Sequence, residues 1–255
     1  MSEKTLRIIG PLVFMTALII LWEIVVRAFK VPTFLIPAPS KVVQTMIASG
    51  PLLFGHTFVT IYEILLGFAI AAIFGILLAI GAAYIRFIEL CVMPLVVIFQ
   101  VLPKVAVAPL LVMWMGYGES PKIVVAFLIC FFSVVINTLA GLLSTENDLI
   151  DLMHSIKASR FQIFWKVQFP NALPFIFSGF EISITSAVIG AIIGEFVGSE
   201  SGLGYLIMVS QQNMNTPLMF VSITILGVIG LILFELVVFL EKIFIPWHEK
   251  TQIKR

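Results

Sequence analysis

The sequence predicts an all-α membrane protein with about six transmembrane helices, and three observations carry that prediction. Of its 255 residues, 60% are apolar and only 11% are charged, against about half and about a quarter in soluble domains. Mean hydropathy is +1.14. Six stretches reach the ~20 apolar residues that a helix needs to cross hydrocarbon: 11–29, 57–84, 90–114, 121–143, 172–196 and 218–243. Lipid must therefore be much of the solvent. A net charge of +1 gives no reason to expect nucleic acid as a partner.

The first segment follows Met1-Ser-Glu-Lys-Thr-Leu-Arg7, which has the look of a secretion signal. The apolar run Pro11–Ala28 is nearly bilayer length and has no small-residue cleavage site, so a retained helix is expected. Glu23 and Arg27, four apart, are expected to pair. In the second segment Gly67, Ala71, Gly75, Ala79 and Ala83 place a small residue at every fourth position. Such a stripe lets helix backbones approach closely. The third carries Pro94, Pro103 and Pro109, with Lys104 among them. Either a bent helix beside a pathway or a helix with a re-entrant end satisfies the freed backbone.

The fifth segment has its own stripe of Gly179, Ser183, Ser186, Gly190 and Gly194. It is partly hydroxylated and enters from the charged loop before it, which predicts a subunit interface or a pathway wall. Ser183, Ser186, Gly190, Gly194 and the nearby Glu181 are the pathway candidates. Charges at membrane depth are costly, so Glu63, Lys104, Glu181, Glu195, Glu235 and Glu241 each need a partner, a wet cavity or a route to the surface. Glu241 is expected to reach the inner surface. Cys91 and Cys130 both lie in apolar runs and read as small buried hydrophobes rather than a disulfide.

Orientation follows from Lys and Arg. With the N-terminus inside, the inner segments hold Lys4, Arg7, Arg86, Lys157, Arg160, Lys166, Lys242, Lys250, Lys254 and Arg255. The outer ones hold only Arg27, Lys30, Lys41 and Lys122. Both termini are expected inside. Two connections are long: the charged inner loop 144–171 and the glycine-containing outer loop 197–217. The inner loop reads as a charged amphipathic helix that ends at Pro170 and Pro174, where the next helix starts. No repeat or second domain is evident, so residues 1–255 are expected to form one transmembrane domain. His56, His154 and His248 are scattered, with no zinc motif, nucleophile elbow or phosphate loop. No cofactor is expected, and any nucleotide hydrolysis would need a partner.

The inner loop reads Asp151-Leu-Met-His-Ser-Ile-Lys-Ala-Ser-Arg160-Phe-Gln-Ile-Phe164 and onward to Pro174. It resembles the cytoplasmic "EAA" loop of permeases in binding-protein-dependent ABC importers. Leu21-Trp-Glu23, Pro32, Leu35-Ile-Pro-Ala-Pro-Ser40, Pro103-Lys-Val-Ala-Val-Ala-Pro109-Leu and Trp114-Met-Gly116-Tyr-Gly118 extend the resemblance. Gly194-Glu-Phe-Val-Gly198, Gly202-Leu-Gly-Tyr205 and Pro246-Trp247 carry it nearly to the end. The chain looks like a permease of the nitrate, sulfonate and taurine group. Glu63 and Glu181 stand where many of those have arginine, a pattern more similar to the branch assigned to pyrimidine precursors of thiamine and to riboflavin.

That resemblance implies the type I importer permease fold in the bacterial cytoplasmic (inner) membrane. It implies a second permease copy, commonly identical, two ATP-binding subunits, and an extracytoplasmic binding protein that delivers cargo. ATP binding would draw the inner loops together and open the cavity outward. The loop residues implied to couple with the ATPase are Asp151, Leu152, His154, Ser155, Lys157, Ala158, Ser159, Arg160 and Phe164. Glu195, Gly202, Gly204 and Tyr205 are the candidates for meeting the binding protein. Lys157 departs from the family by standing where glycine usually makes the turn, at a cost of roughly 1–2 kcal/mol for a left-handed residue. Rival readings are an ion-coupled secondary transporter, an intramembrane enzyme or a membrane scaffold. The missing repeat counts against the first and the missing catalytic constellation against the second.

Overall fold

The structure, a computed structural model, describes the backbone of residues 3–247 and the side chains of residues 9–247. The side chains of Lys4 and Arg7, and all of His248, Lys250, Lys254 and Arg255, lie outside what it describes. Every regular element among the described residues is helical. In order they are α1 (Glu3–Ala28), α2 (Pro39–Ala48), α3 (Gly50–Tyr84), α4 (Met93–Val101), α5 (Ala108–Met115) and α6 (Glu119–Leu143). Then come α7 (Asn147–Ser155), α8 (Arg160–Ile163), α9 (Phe169–Gly198), α10 (Leu203–Gln212) and α11 (Thr216–Phe244).

Among the described residues five helical spans are long and apolar enough to cross a membrane, and a bent pair makes a sixth when it is counted as one span. That bent pair is the proline-rich third segment. A π turn at Ile88–Val92 leads into α4, a 3-10 turn at Lys104–Val107 leads into α5, and the two halves bend by 92°. Pro103 at the break cannot donate a helical hydrogen bond, which favours the bend there. Gly116 closes α5: its φ of +80° suits glycine, and its amide donates back to the Val112 carbonyl at 2.8 Å.

The chain divides into two compact units: residues up to 59 together with 201–227, and residues 60–200 together with the chain from 228 on. In the first, Leu53, Leu206 and Val221 form a small core with Val42, Leu218 and Ile225 packed on it. Glu23 takes Arg27 Nε at 2.5 Å, as the spacing predicts. It also accepts from the Ser40 amide at 2.9 Å and the Ser40 hydroxyl at 2.8 Å, which ties α1 to the start of α2. The predicted outer loop 197–217 is not mere loop, because α10 occupies its middle and buries Leu203, Gly204, Leu206, Ile207 and Ser210.

The second unit is built around α6. A Cβ placed on Gly67 would stand 2.6 Å from Ala126 Cβ, and one on Gly75 would stand 2.7 Å from Val134 Cγ1. Glu63 pairs with Lys122 on the same seam. All three pairs share one offset (122 − 63, 126 − 67 and 134 − 75 each give 59), so α3 and α6 run parallel in constant register. Two parallel helices need a return between them. The bent pair meets that need when it is counted as one span, which makes up to six spans among the described residues.

Helix α9 packs antiparallel on α6. Cβ atoms on Gly190 and Gly194 would stand 2.7 and 2.8 Å from the Cα atoms of Ala126 and Lys122, while Gly179 lies against Asn137 and Gly141 against Phe175. Ser183 Oγ donates to the Cys130 carbonyl and Cys130 Sγ donates to the Ser183 carbonyl, each at 3.2 Å. Cys130 is buried as predicted, whereas Cys91 is exposed and corrects its half of that reading. The prolines also need correction. Pro170 directly follows the π turn at Phe164–Gln168, where the Phe169 amide reaches back to the Phe164 carbonyl, and Pro174 lies inside the helix, so neither ends it. Helical backbone therefore runs without a stop from Arg160 through the π turn at Phe164–Gln168 to Gly198.

Candidate functional site

The inner segment folds as α7, a turn at Ile156–Ser159 and then α8. Helix α7 ends in a Schellman arrangement: the Lys157 amide donates to the His154 carbonyl at 2.9 Å and the Ala158 amide to the Met153 carbonyl at 3.0 Å. Lys157 takes the left-handed position itself, with φ +58°. The turn keeps its shape and absorbs the strain of a non-glycine residue. Helix α8 then opens on a capping box in which Ser159 Oγ accepts from the Gln162 amide and Gln162 Oε1 accepts from the Ser159 amide. The Ser-x-x-Gln signature was present in the sequence and went unread.

Nearly all of the residues implied in coupling lie open on this turn. Asp151, Leu152, His154, Ser155, Lys157, Ser159 and Arg160 are exposed, and Ala158 is half-buried. Phe164 instead faces inward. It stacks edge-on with Tyr84 and packs against the cluster of Leu142, Ala172 and Ile176. Leu152, Ile156 and Phe161 leave apolar side chains bare on an otherwise polar turn.

The fifth-segment stripe divides. Ser183, Gly190 and Gly194 are buried in the α6–α9 seam, with no room for a Cβ at either glycine. Ser186 and Glu181 are half-buried on other parts of α9. Gly202 and Gly204 are buried and Tyr205 is half-buried at the start of α10. Gly202 adopts φ +108°, and its amide donates to His56 Nδ1 at 2.9 Å, with the Tyr205 ring stacked beside that imidazole. His56 and Gly202 lie 146 residues apart, so their pairing at this turn is tertiary and leaves no local signature.

Glu195 is fully buried and accepts from Thr60 Oγ1 at 2.6 Å. Beside it, Lys122 closes on Glu63 as an ion pair without a well-angled hydrogen bond, and Lys122 Nζ donates to Ser199 Oγ at 3.0 Å. One ammonium and two carboxylates thus join α3, α6 and α9 at one end of the seam. Lys122 had been counted among the outer-loop cations. The available signal was spacing: Glu63 extends the Gly67–Ala71–Gly75 stripe one step, and Lys122 does the same for Ala126 and Cys130. Glu235 is exposed, and Glu241 is buried rather than at the surface. Among the described residues no group of histidine, cysteine and carboxylate side chains is arranged to hold a metal.

Comparison with known proteins adds to this geometry. The family described as "Binding-protein-dependent transport system inner membrane component" matches residues 71–247. A probable ABC transporter permease protein of Haemophilus influenzae is 37% identical, over 90% of this chain and 94% of its own length. A riboflavin transport system permease protein of Chloroflexus aurantiacus is also 37% identical, over 94% and 90%. A formylaminopyrimidine transport permease protein of Halalkalibacterium halodurans is 34% identical, over 97% and 99%. Among solved structures, an amino acid ABC transporter superposes with a TM-score of 0.62, at 16% identity, over 80% of this chain and 98% of its own. That last likeness concerns the fold alone.

Proposed function

Given that this chain belongs to the binding-protein-dependent transport system inner membrane components, the permease subunits of ABC importers, we propose that its Asp151–Phe164 turn is where a separate ATPase subunit drives it. The observation that carries this reading is mechanical. An exposed turn, locked by a Schellman motif on one side and a capping box on the other, continues as unbroken helix into a crossing helix. A push on Arg160 is therefore a push on α9.

In this reading the residues form one permease domain, which pairs with a second copy and with two ATP-binding subunits in the bacterial inner membrane. Counting the bent pair as one span gives an even number of crossings with both termini on one side, and the lysine and arginine bias favours the cytoplasm for that side. An extracytoplasmic binding protein delivers cargo over the 195–205 segment. Glu181 and Ser186 face the pathway, while the α6–α9 seam moves as one body. The cargo is a small solute, with riboflavin or a pyrimidine precursor favoured by the transport names of two relatives and sulfonates as the alternative.

The test is ATP hydrolysis by this chain co-purified with its ATPase in lipid, with and without loaded binding protein. Stimulation by the binding protein, lost in Arg160→Glu without loss of expression, is the expected result. If Arg160→Glu transports normally, the coupling assignment is wrong. Uptake that survives ATP depletion but collapses with an ionophore would favour an ion-coupled carrier instead.

A further inference from the structure

The π turn at Phe164–Gln168 is where the surface turn enters a crossing helix, and a residue of another helix grips it at both ends. Tyr84 is the last residue of α3. Its hydroxyl donates to Gln168 Oε1 at the far end of the turn. Its ring meets Phe164 at the near end, with centroids 5.9 Å apart and 73° between the planes. Phe164 in turn packs on the cluster that Leu142 of α6 forms with Ala172 and Ile176 of α9, and Ile80 and Ala83 of α3 pack on that same cluster. Close by, Asn171 Nδ2 donates to Ser144 Oγ at 3.0 Å and to Thr145 Oγ1 at 3.3 Å, which ties the start of α9 to the end of α6.

A π turn inside an otherwise α-helical path is a place where helices bend. Left to itself, this one would absorb a displacement of Arg160 before it reached α9. The Tyr84 grip removes that slack by fixing both ends of the turn to α3. From there the displacement has a stiff route onward. The α3–α6 seam keeps constant register and the α6–α9 seam has no room for a Cβ, and at the opposite end Glu63–Lys122 and Thr60–Glu195 join the same three helices again. Interfaces packed this closely shift as bodies and do not deform gradually. Core packing does not account for the Tyr84 hydroxyl, because the residue is 45% exposed. Removing that hydroxyl opens no cavity and leaves Gln168, itself only half-buried, within reach of water.

We propose that Tyr84 is a positioning residue for coupling: it clamps the π turn to the end of α3, so that the surface turn, α3, α6 and α9 shift as one block instead of bending at Phe164–Gln168. This deepens the importer reading and rests on it. Continuous helix alone would carry a push from Arg160 into α9. The clamp brings α3 into the path as well.

The experiment uses the complete importer in lipid, with the exposed Cys91 replaced by serine as background, and reads how far loaded binding protein stimulates ATP hydrolysis. That stimulation has to cross the permease, so it reports transmission between the two faces. Tyr84→Phe keeps the ring against Phe164 and removes the donor, and Gln168→Leu removes the acceptor. We expect each to cut the stimulation by about two- to tenfold, the range that one lost hydrogen bond allows. The two together should do no more than one alone, because both remove the same bond. Tyr84→Cys with Gln168→Cys, joined by a short bifunctional thiol reagent, replaces the bond with a covalent tie. The open pair should respond poorly to the binding protein, and the joined pair should recover most of the parent's response. Full stimulation in Tyr84→Phe or in the open pair would overturn the clamp. So would a joined pair that stays silent, since the π turn would then be a hinge that has to move. A parent complex that does not assemble, or whose ATPase ignores its binding protein, would instead count against the importer reading.

Discussion

Replacing Lys122 with methionine removes one partner of a buried ion pair and leaves the other in place. Lys122 is 2% exposed and Glu63 is 0% exposed, so water cannot solvate the orphaned carboxylate. Breaking such a pair from one side costs about 3–5 kcal/mol, whereas replacing both members with apolar groups of similar volume is often near neutral. Lys122→Met alone should therefore lower stability by about that amount, and Glu63→Leu alone by a similar amount. The double variant should lose clearly less than the sum of the two singles, though Glu195, buried beside the pair, keeps it from returning fully to the parent. The gap between sum and double measures the coupling. The assay is denaturant titration of the purified permease in mixed micelles, following helicity, with all four proteins on one curve set. A single-variant loss under about 1 kcal/mol would refute the reasoning, as would a double variant that loses as much as both singles together.

Other expectations follow from the same coordinates. Gly190→Ala drives a methyl to 2.7 Å from the Ala126 Cα, which is backbone and cannot swing away. Overpacking of that kind should cost about 1–3 kcal/mol. Gly227→Ala, with open space around it, should be neutral or stabilise by up to ~1 kcal/mol through helix propensity. Melting temperatures of the two variants, measured side by side, decide this. Lys157→Gly should relieve part of the roughly 1–2 kcal/mol left-handed penalty and slow amide exchange in α7. Faster exchange would show that the Schellman turn does not depend on residue 157 as described.

How much was legible depended on the physics behind each feature. Crossing helices read well because hydrocarbon demands a long apolar run whatever the neighbours do. Helices α3, α6 and α11 begin and end within a turn or two of the predicted limits, and the prolines around Lys104 did mark a break. Helices α2 and α10 were invisible, since ten residues at a membrane surface need not be apolar throughout. Proline misled at 170 and 174 because its cost depends on position. Pro170 is accommodated by the π turn just before it, which shifts the backbone hydrogen bonds by one residue, and the helix around Pro174 is held by the α6 seam. Lys122 misled because counting cations by loop presumes that each one reaches water. The ion pair with Glu63 depends on two helices meeting in register, and that information is tertiary. The turn proposed for coupling is legible as an exposed, charged inner stretch, yet its inward-facing Phe164 is not separable from its exposed neighbours by sequence.

The π turn at Phe164–Gln168 sets a rotational phase. A helix advances about 100° per residue, so the one residue that a π turn adds fixes how the face of Arg160 is clocked against the Gly190–Gly194 face. Excising a single residue there would leave every downstream side chain intact but turn it through roughly a quarter circle. The docking turn could then meet its partner normally while α9 presented the wrong face to α6. Angular timing, more than length or strength, is what this short stretch contributes to the transmission.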